Sequence, residues 1–96
     1  MAILELAILN IKPGREEDFK RAFENAKQII MTMSGYISHE LKSCLENPCR
    51  FVLLVKWEKL EDHTEGFRGS KEYQEWRKLL HHFYHPFPEV QHYTDI

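Results

Sequence analysis

Arg50–Ser70, RFVLLVKWEKLEDHTEGFRGS, is the stretch whose reading decides the fold. Its first half is a run of aliphatic, β-branched and aromatic residues, too short for a membrane span and suited to the central strand of a sheet. Phe51, Leu53, Val55 and Trp57 alternate with Val52 and Leu54, so both faces of this strand are apolar. The second half leaves the strand at Trp57, passes His63, Gly66, Phe67 and Arg68, and reaches Ser70, a fitting N-cap for a following helix. Aromatic, imidazole and guanidinium groups gathered where a strand ends are common material for a small-molecule pocket.

Toward the N-terminus, Glu46-Asn47-Pro48 supplies a turn that pairs this strand with Tyr36–Leu45. That segment alternates Ile37, His39, Leu41 and Leu45 with polar residues, as an edge or partly solvated strand does. Before it, Arg15–Met33 carries Phe19, Ala22, Phe23, Ala26, Ile29, Ile30 and Met33 at spacings of three and four, the stripe of an amphipathic helix. Glu16, Glu17 and Asp18 complement its dipole, and Ser34-Gly35 ends it. Ile3–Ile11 is a first strand, apolar on both faces and interrupted by Glu5 and Asn10.

Toward the C-terminus, Leu60–Phe67 reads as a short helical turn stopped at Gly66. A helix from Ser70 to about Tyr84 would bury Tyr73, Trp76, Leu79, Leu80 and Phe83, with Pro86 and Pro88 ending it and Glu89–Thr94 forming a last strand. The order β-α-β-β-α-β predicts an α+β, ferredoxin-like sandwich with a four-stranded antiparallel sheet. Two helices cover one face of such a sheet. Because the first and third strands are apolar on both faces, a second copy of the chain is the expected cover for the other, giving a homodimer.

A chain of 96 residues is expected to form one domain, 1–96, with a modest core. Hydrophobic residues at 43% and charged residues at 29% argue against disorder. With 13 basic and 15 acidic residues the net charge is −2, and no arm or stripe of Lys and Arg invites nucleic acid or an anionic membrane. The opening MAILELAILNIKPGR holds an acidic residue within its apolar run and no basic segment before it, so it reads as a strand; a cytoplasmic location is the expectation. Cys44 and Cys49 flank a turn and are expected to be free thiols in a reducing compartment, a bridge being the alternative.

The groups able to carry chemistry each have a plain reading too. Trp57 is a core or interface anchor, or a cleft residue. His63 is a solvated turn histidine or a general base at a pocket mouth. Arg68 captures an anionic oxygen or ties down its loop, and Arg77 is otherwise a surface helix charge. His81 and His85 share a helix face at metal-ligand spacing, yet no HExxH motif accompanies them, and no metal site is expected. Phosphate loops and nucleophile elbows are absent from the sequence.

Four segments, KPGREEDF (12–19), GYISHEL (35–41), RFVLLVKWE (50–58) and the run EDHTEGFRGSKEYQEWRKLLHHFYHPFP (61–88), resemble the antibiotic biosynthesis monooxygenase domain family over nearly the whole chain. The resemblance implies a ferredoxin-like subunit, a dimeric α/β barrel and a cleft between sheet and helices. Characterised members oxygenate aromatic polyketide intermediates without metal or flavin, the substrate carbanion reacting directly with O₂. The resemblance therefore implies a small hydrophobic phenolic or quinonoid substrate, O₂ as co-substrate and no cofactor. It places Trp57 at the family's strand-end tryptophan, His63 at a tyrosine, Arg77 at a helix arginine and Leu53 at an asparagine. A haem-degrading branch keeps an asparagine and a ligating histidine where this chain has Ala7 and Trp76, and isomerases share the domain. The expected site is His63, Trp57 and Arg77 for chemistry, with Arg68, Phe67, Tyr73 and Trp76 around the substrate; a ligand-binding or structural dimer is the rival expectation.

Overall fold

The structure, a computed structural model, describes residues 2–96. Strand β1 (Ile3–Asn10) leads to helix α1 (Glu16–Ile30), then β2 (Tyr36–Ser43) and β3 (Arg50–Trp57). A π-helical turn (Asp62–Phe67) precedes α2 (Lys71–Leu80), a 3₁₀ turn (His81–Phe83) and β4 (Glu89–Tyr93). The four strands form one antiparallel sheet in the order β2-β3-β1-β4, the ferredoxin-like arrangement expected from the sequence. No helix among the described residues is long and apolar enough to cross a membrane.

The register explains the two-faced character of the central strands. Ala7 pairs with Leu53 and Leu9 with Phe51, and these side chains lie buried under the helices. Phe19, Phe23, Ala26 and Ile30 of α1 and Trp76 and Leu80 of α2 close the layer from above. Removing one such side chain from water contributes about 1.5–3 kcal/mol, so this layer carries most of the fold's stability. On the opposite face Leu4, Leu6, Ile8, Val52 and Leu54 remain partly open to solvent. Strand β2 is an edge strand, as its alternation predicts.

Three local features differ from the sequence expectation. Helix α1 ends at Ile30, three residues short of Met33, although Met33 still packs against the core. The turn after β3 ends at Phe67 as expected, but Gly66 does not interrupt it and its π-helical part begins at Asp62, with a wide bond from the Arg68 N–H to the His63 carbonyl, 3.1 Å. Helix α2 ends at Leu80 because the chain beyond is captured by the first strand's end. Lys12 N–H bonds the Phe83 carbonyl, His85 N–H bonds the Asn10 carbonyl, and Ile11 bridges Tyr84. His81 and His85 therefore do not share a helix face, and among the described residues no group of three His, Cys, Asp or Glu is arranged to hold a metal ion.

Gly35 has a structural reason to be glycine. Its φ is +85°, and a Cβ there would lie 2.0 Å from the Asp62 carboxylate. The turn between α1 and β2 thus packs directly on the segment that carries His63. Cys44 and Cys49 are free and half-buried, the latter's Sγ 3.4 Å from the Glu16 carboxylate.

Candidate active site

The sheet and helices do not close on each other everywhere. Along the inward face of β1, from Glu5 to Leu9, a cavity of about 220 Å³ remains. Its apolar wall comes from Ala7, Leu9 and Leu53 of the sheet and from Phe67 and Trp76 above them. Its polar groups are Glu5, His63 and Arg68 on one side, with Tyr73, His81 and Tyr84 toward α2.

Glu5 continues the inward face of β1 occupied by Ala7 and Leu9, so strand alternation drives its carboxylate into the core, where only 6% of the residue is exposed. Three elements meet it there. From β3, the Trp57 indole N–H donates to Glu5 Oε1 at 2.9 Å. From the π-helical turn, His63 Nε2 lies 3.4 Å from the same oxygen. From β4, His92 stands directly opposite Glu5 in the ladder, and its Nε2 is 2.8 Å from His63 Nδ1. Trp57 is fully buried and stacks on the His63 ring at 5.5 Å with 20° between planes, fixing the imidazole from behind.

Burial governs the titration of these groups. It pushes the Glu5 carboxyl from 4.5 up to about 7, against the opposing pull of the Trp57 hydrogen bond and the Arg68 charge. His63 moves the other way, down to about 3, chiefly through burial and further through the positive field of Arg68 and the His92 ring. His92 is also lowered, by burial and Arg68. Near neutral pH the centre therefore holds a neutral imidazole and a carboxyl close to half-ionised, a pair suited to moving a proton. Tyr84 is raised by burial, by Tyr73 and by Glu5, and stays a phenol.

Of the residues singled out from the sequence, His63, Phe67, Arg68, Tyr73 and Trp76 line this one cavity, as does Leu53. Trp57 sits one layer behind it, its inward face covered by His63 and Phe67, and reaches the cavity only through Glu5. Arg77 lies on the exposed side of α2, where its guanidinium donates to Gln74 at 3.3 Å. Sequence reasoning passed over Glu5 and His92. The signal for Glu5 was present as a charge on a strand face that is otherwise apolar; for His92 there was none, because its place opposite Glu5 depends on the β1–β4 register.

Known proteins share this frame closely. The chain is 56% identical over 94 residues to the uncharacterized protein YczJ of Bacillus subtilis, covering 98% of this chain and 99% of that one. It superposes on the crystal structure of a Bordetella bronchiseptica protein carrying an antibiotic biosynthesis monooxygenase designation with a TM-score of 0.95 and 35% identity, over 99% of this chain and 97% of that one. SnoaB, a cofactor-independent oxygenase from Streptomyces nogalater, has the same fold with a TM-score of 0.86 at 12% identity, over 99% of this chain and 93% of that one. The family model for antibiotic biosynthesis monooxygenases matches residues 2–79. The chain belongs to the antibiotic biosynthesis monooxygenase family.

Proposed function

We propose that this protein is an oxygenase that joins O₂ to a small phenolic or quinonoid molecule without metal or flavin. The observation that carries this reading is the single cavity that gathers an aromatic wall, the Glu5–His63 pair and the Arg68 guanidinium. A cofactor-independent reaction with O₂ requires a substrate anion, and a site for it needs a proton acceptor, a cation beside the developing charge and exclusion of water. Arg68 is the anion partner in this scheme, Phe67, Tyr73 and Trp76 hold the ring, and the neutral His63 imidazole forms part of the cavity wall. Trp57 acts through Glu5 and the His63 ring, and Arg77 receives no role in the chemistry.

Volume narrows the substrate. Benzene occupies an apolar cavity of roughly 150 Å³, so about 220 Å³ suits a substituted single ring or a compact two-ring compound better than a linear polyketide. Oxygen-electrode assays with one-ring hydroquinones and naphthohydroquinones test the reading. Uptake by the wild-type protein, falling about tenfold or more in Arg68→Gln, is expected. A protein that consumes no oxygen with any of these compounds is not such an oxygenase.

The same reading includes a homodimer. The half-open strip of Leu4, Leu6, Ile8, Val52 and Leu54 is contiguous across the two central strands and calls for cover. Sedimentation should give twice the mass of the chain, and Leu6→Glu should halve it. A wild-type monomer at micromolar concentration would remove the dimer from the proposal.

A further inference from the structure

Glu5 has three features that none of the residues predicted from the sequence combines. It is buried yet lines the cavity; both of its close polar neighbours, Trp57 Nε1 and His63 Nε2, address one oxygen, Oε1; and among the described residues Oε2 has no donor. A carboxyl with one oxygen anchored and the other free toward a cavity is arranged as a proton acceptor. His63, by contrast, has both ring nitrogens engaged, Nδ1 with His92 and Nε2 beside Glu5, so neither is free to approach a ligand.

We propose that Glu5 takes the proton from the bound substrate at Oε2, and that His63 with His92 behind it is the positioning pair that holds the carboxylate for this transfer. The inference rests on the oxygenase reading for the nature of the substrate. In the step, an acidic C–H or O–H bond of the substrate breaks, its proton forms the new Oε2–H bond, and the electron pair stays on the substrate as an enolate or phenolate. The carboxylate becomes a carboxylic acid and the substrate gains the negative charge that Glu5 loses, so the net charge of the site does not change. Arg68, lining the same cavity, meets that charge.

The surroundings agree with this role. Glu5 is faced by His63 and Arg68 from the segment after β3, by His92 from β4 and by Tyr84 beyond α2. Arg68 is the one fixed charge among these four; His63, His92 and Tyr84 are neutral near pH 7 by the direction of their shifts. Burial outweighs Arg68 and brings the Glu5 carboxyl to about 7, where it accepts a proton readily and returns it readily.

Proton abstraction can be read without oxygen chemistry. The two-ring ketone 2-tetralone carries acidic C–H bonds, and their exchange with deuterium in anaerobic D₂O is followed by proton NMR. The wild-type protein should accelerate exchange with a pH midpoint near 7, and Glu5→Gln, which keeps the acceptor for Trp57, should lower the rate at least 100-fold. His63→Phe, which preserves the stack on Trp57, should retain exchange but move its pH midpoint. Exchange undiminished in a folded Glu5→Gln protein, no exchange by wild type, or a wild-type midpoint in the ordinary carboxylate range overturns the role of Glu5. An unmoved midpoint in His63→Phe overturns the positioning pair. Exchange without any oxygen uptake from hydroquinones leaves Glu5 as the base and removes the oxygenase reading; uptake that survives intact in Glu5→Gln does the reverse.

Discussion

The layer between sheet and helices has two ends built on opposite principles. At one, Phe19 packs on Phe51 at 5.1 Å and on Phe83 at 5.8 Å, with Phe23 at its side, and Tyr84 stands at the border with the cavity. At the other, Trp57, Phe67 and Trp76 are just as aromatic, but Glu5, His63 and His92 stand among them and a cavity remains. The filled end lowers the free energy of the fold. The cavity end gives up packing and holds polar groups away from water, which raises it. Placing both ends in one layer lets the first support the second.

Substitutions can break this contrast from either side. Phe19→Ala, at the filled end, should lose about 3–5 kcal/mol in urea unfolding; a loss under about 1 kcal/mol would mean that this end is not tightly packed. Glu5→Gln should do the opposite. The native carboxyl keeps its proton up to about 7, whereas the unfolded chain releases it near 4.5. Between those values the native state binds more protons through this group, so the Glu5 contribution to stability falls as pH rises through the window, by about 3 kcal/mol in all. Glu5→Gln lacks this fall. It should match wild type at low pH and exceed it by about 2–3 kcal/mol above the window, in unfolding curves taken across pH.

His63 tests the acid side. Its native value is about 3 against 6.5 when unfolded, so the unfolded chain binds the extra proton and the His63 contribution to stability is lost as pH falls below 6.5. His63→Phe removes that loss, worth about 2 kcal/mol by pH 5, and should flatten the acid limb of the melting-temperature profile. The smallest effect concerns the caps. Ser70 Oγ accepts from the Tyr73 N–H at 3.1 Å and donates to the Phe67 carbonyl at 2.6 Å, tying the π-helical turn to α2 at the cavity end. Ser70→Ala should cost about 1 kcal/mol. Arg15, at the start of α1, makes no side-chain cap bond; its side chain pairs with Asp18 at 3.2 Å and lies over the Phe83 ring instead.

Much of the architecture was legible because it rests on short-range periodicity. The alternation in Phe51–Trp57 placed four side chains on the buried face, and the stripe of Phe19, Phe23, Ala26 and Ile30 marked the helix that covers them. Helix ends were less legible. Nothing local stops α2 at Leu80; backbone bonds to Lys12 and Asn10, seventy residues or so away in sequence, do that.

The site divides along the same line. Phe67, Tyr73 and Trp76 could be foreseen around a cavity because a turn and a helix face bring them to one side. Trp57 was expected at the cleft and stands behind it, since alternation specifies a face and says nothing of what else covers that face.

Sequence alone was enough for the strands, the helices and the two-sided apolar sheet, since periods of two and of 3.6 residues are properties of neighbouring positions. The meeting of Glu5, His63 and His92 is of another kind. It joins residues from β1, a π-helical turn and β4 through a strand register and a buried stacking contact. Their shifted titration follows from removal of water, which no single segment can accomplish and the assembled layers do.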